Sequence, residues 1–260
     1  MNHLQAIFLG ALQGISEFLP ISSSGHVLLF QKLLHIQTSS LLLDISLHLG
    51  TLLALIIALR RELIHLIRHP RDPMWILLIM GTVPTVFIAM VFQSFIEKAF
   101  QTGETLGAEF LITGILLLLS ENRYQQQRES TSQIRISQAL LIGCAQGAAI
   151  MPALSRSGLT MATAIGLGIS REEAVRFSFL MSIPAILGAS IFAIKDLSSV
   201  PSPLVSSLFL ALITSAFFGY LAIRFLLQWV SRHSIKPFGY YTFALGILLL
   251  LNQWIFHIVS

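Results

Sequence analysis

Six stretches of this chain are apolar over the length a membrane-crossing helix needs, and two more are apolar but broken in the middle. The unbroken ones run over residues 41–59, 74–95, 106–119, 174–194, 204–230 and 238–259. A hydrocarbon core of roughly 30 Å takes about 20 residues of helix at about 1.5 Å rise each, so these six predict transmembrane helices, 106–119 being the shortest. The broken stretches, 4–34 and 139–169, are each interrupted near the centre by a proline and a serine-glycine cluster. Irregular backbone facing lipid would leave polar groups unpaired at membrane depth. The breaks therefore predict pairs of half-helices, or re-entrant hairpins, with their tips buried in protein.

The two broken stretches repeat one another. Gln13-Gly14 recurs as Gln146-Gly147, 133 positions on, and Ser22, Ser24 and Gly25 recur at that offset as Ser155, Ser157 and Gly158. Gly114 and the Ile-Leu-Leu-Leu-Leu after it recur from Gly246, at an offset of 132. Each half, about 1–125 and 134–260, then holds one re-entrant helical hairpin and three transmembrane helices. An odd number of spans leaves the second half upside down relative to the first. The pattern thus predicts an all-α integral membrane protein: a single membrane domain over 1–260, an inverted-topology repeat whose two hairpin tips meet near the midplane.

Composition and charge sharpen this picture. With 55% hydrophobic and 11% charged residues, the chain lies outside the range of soluble domains. Its net charge of +4 does not form a basic stripe with interleaved aromatics, which argues against nucleic acid. The basic residues crowd three loops instead: Arg60, Arg61, Arg68 and Arg71; Arg123, Arg128 and Arg135; Arg224, Arg232 and Lys236. Such loops stay in the cytoplasm, which leaves Lys98 and Lys195 outside, brings the first hairpin in from the outside and the second from the cytoplasm. Trp75, Trp229 and Trp254 fit interfacial anchors, and His35, His65 and His69 fit interfacial positions. The N-terminal run lacks a basic n-region and a small-residue cleavage site, so it is expected in the mature protein. Cys144 is the single cysteine, which excludes an intramolecular disulfide and a thiolate metal cluster.

The polar residues at the breaks carry the candidate chemistry. The first tip reads Gln13-Gly-Ile-Ser-Glu17-Phe-Leu-Pro20-Ile-Ser22-Ser23-Ser24-Gly25-His26. Gln13 and Glu17 share a helix face, and a carboxylate inside an apolar hairpin is costly unless paired or bound to metal. Pro20 ends one half-helix and the serine run starts the next, offering the free N–H groups that bind phosphate. His26 in that first turn could exchange a proton with a bound anion. The second tip reads Pro152-Ala-Leu-Ser155-Arg156-Ser157-Gly158-Leu-Thr160. Arg156 near the bilayer centre would cost about 2.5 to 3.5 kcal/mol on insertion scales, a cost that a diphosphate held by the guanidinium and neighbouring hydroxyls offsets. Blander readings stand beside these: serine and glycine often serve only close helix packing, and Glu17 or His26 alone could be structural. The broken tips and Arg156 together weigh toward a site. Asp44 and His48 read as a structural or gating pair, and Arg171, Glu172, Glu173 and Arg176 as a capped, solvated helix start.

Residues 13–26 and 152–160, with Asp44-x-x-x-His48-Leu-Gly-Thr51 and Phe177-Ser-Phe-Leu-x-x-x-Pro184, resemble in order the undecaprenyl-diphosphate phosphatase, or bacitracin-resistance, family over nearly the whole chain. Two departures stand out: Gln13 where many relatives have a second carboxylate, and Ala153 where glycine is usual. The resemblance implies hydrolysis of undecaprenyl diphosphate to undecaprenyl phosphate and inorganic phosphate, which recycles the lipid carrier for peptidoglycan synthesis. It implies the bacterial inner (plasma) membrane, with the site open to the periplasm. It also implies a divalent cation, Mg²⁺ or Ca²⁺, on Glu17 and the Gln13 carbonyl, Arg156 stabilising the transferring group, and Gln13, Ser22, Ser24, Ser155, Ser157 and Thr160 around the phosphates. Two nucleophiles stay open: Ser23 activated by His26, taken first, and a metal-bound water with His26 as acid or base. A homodimer is allowed for. The rival reading is a polyprenyl-phosphate transporter or flippase, because inverted repeats with broken helices are also transporter architecture.

Overall fold

The structure, a computed structural model, describes residues 1–34, 36, 40–95, 99, 105–126, 130–194 and 202–255. The first broken stretch forms α1 (His3–Phe18) and α2 (Ser23–Leu33), and the second forms α7 (Ile136–Ala148) and α8 (Arg156–Gly166). Between the hairpins lie α3 (Ser40–Ala58), the short α4 (Arg60–Arg68), α5 (Pro73–Val91) and α6 (Leu106–Gln126). After the second come α9 (Arg171–Ile194), α10 (Ser202–Val230) and α11 (Lys236–Ile255). Among the described residues there is no β-strand. Lys98, Lys195, Arg128 and His35 lie outside the described residues.

Among the described residues, four helices are long and apolar enough to cross a membrane, over Leu41–Ala58, Pro73–Val91, Arg171–Ile191 and Leu204–Val230. Six were expected. The other two, α6 and α11, are helices of 21 and 20 residues, but α6 carries Glu109, Glu121 and Arg123, and α11 starts at Lys236 and has Asn252 and Gln253 in its last turn. Protein satisfies these groups where lipid could not. Glu121 is fully buried and accepts from Arg171 Nε at 2.8 Å and from the Ile235 N–H at 3.4 Å. The solvated start expected for α9 is therefore wrong for Arg171, which is tied into this pair.

Close helix approach sets the packing. A Cβ on Gly143 of α7 would fall 2.1 Å from the Gly81 carbonyl of α5, so only glycine allows that crossing. In the same way α1 packs along α10, which means that the first helix of each hairpin lies against the second long apolar helix of the other half. α6 packs along α11. There Gly114 faces Gly239 and Phe243, while Gly246 faces Gly107 and Leu111. The numbers rise along one helix as they fall along the other, so the pair is antiparallel. Adding 132 to the α6 position and subtracting it from the α11 positions turns the first set of contacts into the second, which is what a two-fold axis across the helices produces. The repeat seen in the sequence is thus inverted where α6 meets α11.

Candidate active site

Each tip is built by a serine cap. α1 stops where Leu19 turns extended before Pro20, and Ser22 caps α2 by accepting the Gly25 N–H at 3.3 Å. Ser22 adopts φ +71°, a region that L residues rarely enter and that costs about 1–3 kcal/mol, to fold the chain back within a few residues. Ser155 caps α8 by accepting the Gly158 N–H at 3.0 Å. The repeated Ser-x-x-Gly is therefore first a capping device.

The tips meet through two contacts. Arg156 Nη2 donates to Glu17 Oε1 at 2.6 Å, and Ser157 Oγ donates to the Leu19 carbonyl at 3.0 Å. Glu17 Oε2 accepts from Ser23 Oγ at 2.5 Å and from Gln13 Nε2 at 3.0 Å. The same Gln13 amide lies 3.4 Å from His48 Nδ1. The Glu17 and Arg156 side chains are only 5% and 15% exposed, so both are largely desolvated. Arg156 Nη1 is buried and has no hydrogen-bond partner among the described residues.

A cavity of about 320 Å³ opens on this cluster. Glu17, Ser23, Ser24, Ser155, Arg156 and Ser157 form its polar wall, together with Asp44 and His48 from α3. Leu41, Ile45, Ile150, Met151, Leu154 and Ile186 make the rest largely apolar. An anion fits at the cationic end, and an alkyl or prenyl chain fits beyond it.

Four candidate residues fall elsewhere. His26 Nδ1–H donates to the Ser22 carbonyl at 2.6 Å, and its Nε2 accepts from the Tyr241 hydroxyl at 2.7 Å. Its ring stacks on Tyr241 and meets the edge of Phe110, off the cavity wall, while Ser23 is hydrogen-bonded to Glu17. Activation of Ser23 by His26 is thus not the geometry found. Ser22 is used by its cap, and Thr160 is fully buried behind the second tip against the Arg156 carbonyl and Ser178. Gln13 reaches the site only through Glu17 and His48. Conversely, Asp44 and His48 stand on the cavity wall. Their spacing of four on an apolar helix was the available signal, and it is the same one that singled out Gln13 and Glu17.

Among the described residues no three His, Cys, Asp or Glu side chains cluster as a cation cage. The Glu17 carboxylate with the Ser23 hydroxyl beside it suits a hard cation that takes most of its oxygens from a phosphate ligand and water.

A buried guanidinium with a free nitrogen, on the wall of a largely apolar chamber inside a helical membrane bundle, defines a multi-pass membrane protein suited to the anionic head of a lipid. The chain belongs to the family described as bacitracin resistance protein BacA, whose family model matches residues 6–248. Undecaprenyl-diphosphatase 3 of Bacillus cereus is 43% identical over 256 residues, covering 98% of each chain. The undecaprenyl-diphosphatases of Carboxydothermus hydrogenoformans and Halothermothrix orenii are 42% and 38% identical, over 97% and 98% of this chain and 98% and 100% of their own.

Proposed function

We infer that this membrane enzyme hydrolyses undecaprenyl diphosphate to undecaprenyl phosphate and inorganic phosphate, with the Glu17–Arg156 meeting point as its reaction centre. The observation that carries the site is the buried, unpartnered Nη1 of Arg156 on a cavity wall. A guanidinium in that state calls for an oxyanion. Ser23 supplies the nucleophile, and the Glu17 carboxylate, 2.5 Å from its hydroxyl, takes the proton. Ser23 Oγ bonds to the terminal phosphorus while the anhydride P–O bond breaks, and the electron pair leaves with undecaprenyl phosphate. Water then cleaves the phosphoserine, releasing phosphate and restoring Ser23. Arg156 neutralises charge on the transferring group throughout. The prenyl chain leaves along the apolar wall.

A divalent cation, Mg²⁺ or Ca²⁺, arriving with the diphosphate fits the carboxylate of Glu17. Glu17 would hold it, with the Gln13 carbonyl after rotation of its amide, and it would neutralise phosphate charge. The repeat units, about 1–125 and 134–260, form one inverted pair. The basic loops argue for the α4 turn in the cytoplasm, and the family resemblance for the inner membrane with the cavity open to the periplasm. Purified protein in detergent is expected to release phosphate from undecaprenyl diphosphate. Transport across sealed vesicles without phosphate release would contradict this reading.

A further inference from the structure

Behind each hairpin tip stands a residue that no catalytic step uses. On α6, Glu109 is 4% exposed and accepts the Ala153 N–H through Oε2, while its Oε1 has no hydrogen-bond partner among the described residues. One turn later Thr113 Oγ1 accepts the Ser155 N–H at 3.2 Å. One face of α6 thus grips two backbone amides immediately before Arg156. On α11, the Tyr241 hydroxyl holds His26 Nε2 at 2.7 Å, and His26 Nδ1 in turn holds the carbonyl of Ser22, the residue at φ +71° next to Ser23.

Positions 109 and 241 are 132 apart, the offset that exchanges the glycine contacts of α6 and α11. Equivalent points on α6 and α11 therefore each secure one tip, by different chemistry. A carboxylate buried with one oxygen unpaired is expensive in a membrane protein and persists where it serves function. Its position explains what it does here. Ala153 stands at the turn into the arginine-bearing tip, and an acceptor on its N–H restrains that turn without touching the cavity.

We propose that Glu109 and Tyr241 are the positioning residues of the two tips, Glu109 setting the reach of Arg156 and Tyr241, through His26 and Ser22, the placement of Ser23. The proposal rests on the reading of Glu17, Ser23 and Arg156 as the reaction centre.

The test is kcat and KM for phosphate release from undecaprenyl diphosphate, with monodispersity and Tm recorded for each variant. Glu109→Leu keeps the bulk and removes the acceptor. A misplaced arginine lowers kcat by about tenfold or more with KM within about threefold, because Arg156 acts most in the transition state. Glu109→Gln keeps one acceptor oxygen and is expected to recover kcat to within about threefold of wild type. Tyr241→Phe keeps the ring stack on His26 and lowers kcat about fivefold or more. A folded Glu109→Leu with near-wild-type kcat overturns the proposal, as does Glu109→Gln as slow as Glu109→Leu. If Glu109→Leu fails to fold, Thr113→Val, isosteric and lacking the oxygen, decides: kcat lowered by about threefold or more supports it, and unchanged kcat overturns it. No phosphate release by wild type would sink the reaction-centre reading instead, a separate result.

Discussion

Glu17 takes three donors at once, from Arg156, Ser23 and Gln13, and this makes one carboxylate the tie between the two tips. That it meets Arg156 was legible in the sequence because charge at membrane depth is too costly to stay unpaired. The direction of side chains was not. His26 follows the serine run in sequence, yet a ring that reaches back to the Ser22 carbonyl and across to Tyr241 leaves the cavity to others. Ser23→Ala tests the chemistry directly. Phosphate release is expected to fall by about a thousandfold or more, as for loss of a nucleophile, whereas retention of a tenth of the activity would point to water as the attacking group.

At the scale of elements, the two breaks were readable from proline and serine-glycine clusters, and they lie where α1 gives way to α2 and α7 to α8. Periodicity could not tell which long helices face lipid and which face protein. α6 packs along α11, and its carboxylates Glu109 and Glu121 lie on its buried face, where lipid does not reach them. The α5–α7 crossing depends on a bare backbone: Gly143→Ala places a methyl 2.1 Å from the Gly81 carbonyl. Overpacking of this kind costs about 1–3 kcal/mol or more, so a lowered Tm in detergent is expected. Ser155→Ala removes the α8 cap and is expected to cost about 0.5–2 kcal/mol, with an unchanged Tm contradicting the capping role.

Across the whole molecule, the symmetry holds in the scaffold and breaks at the site. Position 17 of the first hairpin corresponds to Ile150 of the second, and Ser23 corresponds to Arg156, so each tip brings what the other lacks. Gln146, the counterpart of Gln13, is turned to Thr85 instead, 3.1 Å away. Orientation can be read by labelling: with Cys144 replaced by alanine, Arg71→Cys in the α4–α5 turn is expected to resist an impermeant maleimide until cells are opened. Labelling in intact cells would reverse the topology.

The most direct test of two tips joined around one diphosphate is the rate of phosphate release from undecaprenyl diphosphate by wild type and by Arg156→Ala, each shown to be folded in detergent. A fall of about a hundredfold or more is predicted, since the guanidinium stabilises the transferring group from a desolvated site. A rate within tenfold of wild type would contradict it.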